Sequence, residues 1–399
     1  MILGNMKNKI ISRNKAVFLA GQIITSVAAF AITGAIYQTF LSMIGFSSKL
    51  LYVQTTVIQA VNIAVILIGS CVIPPSKSIR GYILATAVYA ALFLFYLPLC
   101  RNDVISVVYL FAISVLQAVT TGIRTTIVYN LPYLLFPDKD YGVIMSAAGT
   151  VSSVLTLIMS KAINVMLASI PYITLIRYFF VIVSILCMVE ATLYLLTKSI
   201  ISVGETGSVP ENRMKQGLLN VIKNPMFYKL AVPNLLRGFA YGVIDMMAIV
   251  ALSLGYDENT TVRMVSVMSA ANLVILGITF VLFKRQVQPR LLILGGSICF
   301  LILGGVFVHD GNVFLAVYAL VYAGRTCIDY GVPVMMRNIV PLEIATSYNA
   351  LRMILHTGGI MIAGVVASMI STKALIIVTI VMSVVSGILY AGYSKKDKT

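Results

Sequence analysis

Twelve apolar stretches recur along the chain, separated by short polar joints, and this pattern limits the possible folds more than any other feature. They fall at about 16–38, 50–73, 81–99, 104–131, 141–165, 171–197, 226–254, 261–283, 291–308, 312–336, 343–370 and 374–393. A helix needs about 20 apolar residues to cross the hydrocarbon layer of a bilayer. Inside that layer the backbone must satisfy its own hydrogen bonds, so such stretches read as helices. Of the 399 residues, 59% are apolar and only 11% charged, against roughly 25% charged in a soluble domain. The expected fold is an all-α polytopic membrane protein, with about 12 transmembrane helices in two pseudo-symmetric six-helix bundles and no soluble domain.

A net charge of +16 would point to a nucleic-acid partner in a soluble chain. Here the basic residues gather in alternate loops, as the positive-inside rule requires, so no nucleic acid is expected. Lys7, Lys9, Arg13 and Lys15 precede span one, and Lys77 and Arg80 follow span two. Lys284, Arg285 and Arg290 follow span eight, and Lys395, Lys396 and Lys398 follow span twelve. The intervening loops are weakly charged or acidic, as at Asp257–Glu258 and His309–Asp310. The acidic PDKDY after span four is the exception. Both termini are therefore placed in the cytoplasm, with the cell membrane as the expected location. The apolar run after the basic N-terminus is too long for a signal-peptide core and reads as a retained first span. Cys71, Cys100, Cys187, Cys299 and Cys327 have no metal-type spacing and read as packing residues. No cofactor or metal is expected.

The chain repeats itself. Gly34 and Ile36 match Gly242 and Ile244, Gly45–Phe46 matches Gly255–Tyr256, Asn62 matches Asn272 and Arg80 matches Arg290. The string RTTIVYNLP at 124–132 is echoed by RTCIDYGVP at 325–333 in a different register. Residues 1–197 and 226–399 thus read as two six-span bundles, joined by the polar segment 198–225 as a cytoplasmic linker. Arg213, Lys215 and Lys223 alternate there with Leu218, Leu219, Val221 and Ile222. That pattern suits either a helix lying on the membrane surface or a solvated basic linker.

This layout, the basic midpoint linker, and the segments FLSMIGFSSKLLYVQTTVIQAVN and ALSLGYDENTTVRMVSVMSAAN together resemble the major facilitator superfamily over essentially the whole length. The resemblance implies alternating access of a solute to a central cavity lined by spans one, four, seven and ten. Two family signatures are missing. The Gly-x-x-x-Asp-Arg-x-Gly-Arg loop after span two is replaced by GSCVIPPSKSIRGY, and span five lacks the Gly-Pro signature of drug–proton antiporters. The subfamily stays open.

Polar residues fall where such a cavity would need them. A charge at a helix centre costs roughly 2.5–3.5 kcal/mol on the insertion scale. Arg124, Arg237, Asp245, Arg325, Asp329 and Arg352 therefore face a protein interior or a wet cavity. Tyr318, Tyr322, Arg325 and Asp329 share one face of span ten, and Asn234, Arg237, Tyr241 and Asp245 one face of span seven. Gln117, Thr121 and Arg124 make a shorter stripe in span four; Gln22, Ser26, Thr33 and Tyr37 do so in span one. Arginine presents a planar fork matched to carboxylate or phosphate. Arg325, Arg124, Arg237, Tyr322, Tyr241 and Tyr37 are thus the candidate solute-binding residues, for a small, anionic organic solute. The bland alternative is that Arg325 and Asp329 only neutralise each other. Asp245 and Asp329 are the candidate carriers of a coupling proton; Asp245, two turns from Arg237, is favoured. His356 reads as a packing hydrogen-bonder, with a titrating role near neutral pH as the alternative; Glu190 reads as snorkelling or pairing with Lys198, with a proton site as the alternative.

No phosphate-binding loop, zinc-spaced ligand set or nucleophile motif is present, so no enzyme is expected. The leading reading is a monomeric secondary active transporter of alternating-access type in contact with membrane lipid. The alternatives are an amphiphile exporter or a lipid-linked saccharide flippase. From another class come a non-transporting sensor and an intramembrane enzyme.

Overall fold

The protein is described by a computed structural model covering residues 2–33, 35–72, 78–99, 103–128, 131, 135, 141–166, 169–198, 222–223, 225–284, 288–339 and 345–392. Most of the linker, including Arg213 and Lys215, lies outside the described residues, as do the PDKDY loop and the basic C-terminus.

Among the described residues, fourteen α-helices and a 3-10 segment correspond to the twelve expected spans. Span one is α1 (Ile2–Thr33) and α2 (Ala35–Met43); spans two to six are α3 (Ser48–Val72), α4 (Ser78–Leu94), α5 (Val104–Val128), α6 (Tyr141–Met166) and α7 (Tyr172–Tyr194). Span seven is a pair, α8 (Pro225–Asp245) and α9 (Met247–Ser253), bent by 51° at the break. Spans eight to twelve are α10 (Glu258–Lys284), α11 (Pro289–Ile298) continued by a 3-10 segment (Cys299–Val308), α12 (Gly311–Ile339), α13 (Ala345–Met369) and α14 (Thr372–Ala391). No strand occurs among the described residues. Large apolar side chains such as Leu84, Ile105, Ile185, Leu301 and Ile377 are exposed on the outside. In water that would be a liability; in lipid it is the required surface.

The pseudo-symmetry shows in which helices pack. In the first half α3 packs on α5, α4 on both α5 and α7, and α1 on both α6 and α7. Six spans on, α10 packs on α12, α11 on both α12 and α14, and α8 on both α13 and α14. The contacts between halves obey the same operation, α3 with α13 and α6 with α10.

The turns repeat as well. Gly45 and Gly255 take positive φ, 98° and 87°, after α2 and α9, a conformation that glycine enters without a Cβ clash. Phe46 N–H then donates to the Leu41 carbonyl and Tyr256 N–H to the Ala251 carbonyl, both at 3.1 Å. These close the helix ends in a Schellman-type pattern. One residue further, Ser47 and Asp257 cap α3 and α10 with their side-chain oxygens. The match Gly45–Phe46 with Gly255–Tyr256 is therefore structural.

Candidate functional site

Between the halves lies a cavity of about 690 Å³. It is closed at the end where α2 packs on α9, with Ala35–Leu41 and Met247–Ala251 buried. Two hydrogen bonds, one buried and one part-buried, join the halves there. Thr39 Oγ1 donates to Thr261 Oγ1 at 2.8 Å, and Gln38 Nε2 donates to the Asp245 carbonyl at 2.8 Å. The second contact explains part of the bend in span seven. The last carbonyls of α8 have no partner in their own helix, and Gln38 supplies one.

The wall from the second half is charged and aromatic. Arg325 of α12 forms an ion pair with Asp245 across the helix interface, and its Nε lies 3.9 Å from Asp329 one turn on. Its guanidinium stands over the rings of Tyr241, 4.5 Å from the centroid, and Tyr322, 5.2 Å. Tyr241 also donates its hydroxyl to the Arg325 carbonyl at 3.0 Å. Arg325, Asp245, Asp329, Tyr318, Tyr322 and Tyr330 border the cavity.

The wall from the first half is polar without charge. Tyr37 and Gln54 border the cavity, and Gln54 Nε2 donates to Tyr37 Oη and to Ser114 Oγ, each at 2.7 Å. Behind them Tyr96 donates to Gln117 Oε1 and meets Tyr37 edge to face at 5.4 Å.

Of the sequence candidates, the structure brings Arg325, Tyr322, Tyr37, Asp245 and Asp329 to this one cavity. The other three sit elsewhere. Tyr241 is 1% exposed and lies behind Arg325 as its support. Arg237 is buried, with its guanidinium 5.5 Å from the centroid of the Tyr241 ring and its Nε without a hydrogen-bond partner. Arg124 is not among the residues that border the cavity. It forms a buried ion pair with Glu190 of α7 at 3.0 Å, donates to Thr25 Oγ1 at 2.9 Å, and lies 4.4 Å over the Tyr89 ring. Tyr82 completes the cluster by donating to Glu190 Oε1 at 2.6 Å.

Two readings change with this geometry. Glu190 pairs with Arg124 rather than with Lys198. The spacing argument that favoured Asp245 as proton carrier took Arg237 as its nearest cation; the nearest cation is Arg325 of another helix, in direct contact. The polar groups that the sequence did not single out, Gln54, Ser152 and Ser269, have short side chains or ordinary amides whose placement only tertiary packing reveals.

The repeated string also resolves. Asp103 caps α5 by accepting from Ser106 N–H at 2.7 Å, and Asp310 caps α12 by accepting from Asn312 and Val313 N–H at 2.7 and 3.0 Å. The caps set the two spans in a register of 207 (310 minus 103), which places Arg325 opposite Ala118 and Arg124 opposite Gly331. In that register Arg124 and Arg325 do not occupy equivalent positions.

No protein-family model matches the sequence, and no curated protein matches it. Solved structures do match, over nearly the whole length. A D-xylose–proton symporter superposes with a TM-score of 0.71 at 12% identity, covering 98% of this chain and 99% of the other. At this identity the likeness shows a shared fold. The nucleoside transporter NupG, as its D323A mutant, gives 0.69 at 12% identity over 94% of this chain and 98% of its own. The xylose transporter XylE from E. coli, in its inward open conformation, gives 0.67 at 15% over 96% of both. In that shared fold, the cavity of this chain is bounded by the two walls described above.

Proposed function

We propose that the protein is a secondary active transporter that moves a small organic anion by alternating access, with Arg325 as the anion anchor. The observation that carries this reading is Arg325 itself. It is the arginine that borders the cavity between the symmetric halves, held by Tyr241 and Tyr322 and balanced by two carboxylates. An incoming carboxylate or phosphate competes with Asp245 and Asp329 for the same fork. Asp329 is the more loosely held, at 3.9 Å, and is the carboxylate we assign to a coupling proton. Exchange of partners at Arg325 would link solute entry to protonation.

In this account bundles 1–197 and 226–399 rock about the cavity, joined by a cytoplasmic linker at 198–225. Both termini face the cytoplasm of the cell, so the α2–α9 end is the extracellular gate. The protein works as a monomer in lipid, without cofactor and without chemical change to the solute.

The test is a thermal-stability screen of purified protein against organic acids, sugars, nucleosides, amino acids and hydrophobic cations. A ligand at 100 times its dissociation constant stabilises by roughly 2.7 kcal/mol, which is readily seen. Stabilisation by an organic acid that disappears in Arg325→Ala is the expected result. Stabilisation confined to hydrophobic cations would defeat the anion reading.

A further inference from the structure

The charges on the cavity wall constrain the solute beyond its acid group. Among the described residues that border the cavity, Arg325 is the one cation, and Asp245 and Asp329 are the two anions. The carboxylates are also the more open groups, with 39% and 47% of their side-chain surface exposed, against 16% for Arg325. The wall therefore presents an excess of negative charge beside its anchor. A solute carboxylate bound at Arg325 adds a further negative charge and takes Asp245 away from its partner. While the cavity is open, water can solvate the displaced carboxylate. Once the cavity closes around the solute, a carboxylate left without a cation is strongly unfavourable. A coupling proton on Asp329 offsets one charge. Asp245 must find its cation on the solute itself.

The geometry fixes where that cation sits. Asp245 is in direct contact with the Arg325 guanidinium, so the two groups that replace each as the other's partner lie side by side. An ammonium on the carbon that bears the carboxylate has this spacing; one at the far end of a long chain does not. Tyr322 and Tyr318 stand one and two turns back along the same face of α12, with ring centroids 5.8 Å apart. The Met268 sulfur lies 4.0 Å from the Tyr318 hydroxyl, and all three residues border the cavity. Beside the charges there is thus a wall of aromatic rings and a polarisable thioether, suited to hydrocarbon. Resting on the reading of Arg325 as anion anchor, we propose that the solute is an α-amino acid with an apolar side chain. Its carboxylate pairs with Arg325, its ammonium with Asp245, and its side chain lies along Tyr318, Tyr322 and Met268. With Asp329 protonated, the loaded wall carries no net charge.

The experiment is a titration of the purified full-length protein with phenylalanine, 3-phenylpropionate and phenethylamine, which present both charged groups, the carboxylate alone and the ammonium alone. Leucine, 4-methylpentanoate and 3-methylbutylamine form a second set, and both sets are repeated with Asp245→Asn and Arg325→Ala. In at least one set the amino acid should bind roughly tenfold to a hundredfold more tightly than its deamino acid, the range of one charged hydrogen bond. Asp245→Asn keeps the size of the side chain and leaves Asp329 beside Arg325. It should erase that advantage by weakening the amino acid while the deamino acid binds as tightly as before or more so. A merely structural role for Asp245 would weaken both alike, which overturns the ammonium assignment. Deamino acids that match the amino acids, with binding lost in Arg325→Ala, overturn it too and leave the anion reading standing. So does a protein stabilised by some other organic acid but by neither amino acid. Amines that match the amino acids, or amino-acid binding that survives Arg325→Ala, overturn both. Should Asp245→Asn fail to fold, the three-way comparison on the unsubstituted protein decides alone.

Discussion

Arginine at 124 and arginine at 325 begin almost the same string of residues, and the fold gives them different work. Arg124 is locked to Glu190 in a buried pair, where removing one partner strands the other charge. Glu190→Ala should therefore destabilise the protein by about 3–5 kcal/mol, read as a drop in the thermal midpoint. Replacing both residues by methionine should recover much of that loss, because a well-packed apolar pair is often neutral relative to the ions. Arg325→Ala should instead fold and reach the membrane but lose solute binding. That charge in an apolar span needs an internal partner was legible in the sequence, because its insertion cost is large. Which partner it finds was not. Glu190 lies 66 positions from Arg124, and Asp245 lies 80 from Arg325, distances that only helix packing can bridge. For this reason the sequence set Asp245 beside Arg237, whereas its ion-pair partner is Arg325.

At the scale of helices, turn chemistry and close crossings decide how the spans sit. The Gly45 and Gly255 turns could be read from the sequence because both the positive-φ glycine and the following aromatic repeat. The α8–α13 crossing could not be read in detail, although small residues such as Gly358 and Gly359 let helices approach closely. Gly359 lies against the backbone of Leu235, Gly238 and Phe239, and Gly238 against that of His356. A Cβ there meets main chain, which cannot rotate away. Gly359→Ala should therefore lower the thermal midpoint, with an overpacking cost of about 1–3 kcal/mol. Gly277→Ala, at a helical position with open space around it, should raise the midpoint slightly through helix propensity. The pair of variants separates packing from propensity in one experiment. A smaller effect is expected at the cap of α10. The Thr260 hydroxyl donates to Asp257 and holds its carboxyl below the usual range. A depressed folded-state pKa stabilises above the unfolded value and is lost as pH falls through the folded one. Asp257→Ala should cost about 0.5–2 kcal/mol as a lost cap at neutral pH, with the deficit narrowing in acid.

Over the whole molecule, the two halves pack by one repeated scheme, and the cavity lies on the seam between them. A symmetric pair of bundles can reach a second arrangement by exchanging which end is closed, and the closed end here is held by α2 and α9. Thr39 and Thr261, joined by a hydroxyl contact across that seam, are the place to stop the exchange. Cross-linking Thr39→Cys to Thr261→Cys with a short thiol-cleavable reagent should halt flux, and cleavage of the linker should restore it. The twelve spans and their grouping followed from hydropathy and charge, which bilayers impose locally on each segment. The cavity depends on how the halves meet, so only its candidate lining residues were visible beforehand. The measurement that bears most directly on the central claim is exchange in proteoliposomes of the labelled organic acid that most stabilises the protein, comparing the unsubstituted protein with Arg325→Ala. Saturable exchange that vanishes in the variant, at equal protein incorporation, is the predicted result. Exchange that is unchanged by the loss of Arg325 would contradict it.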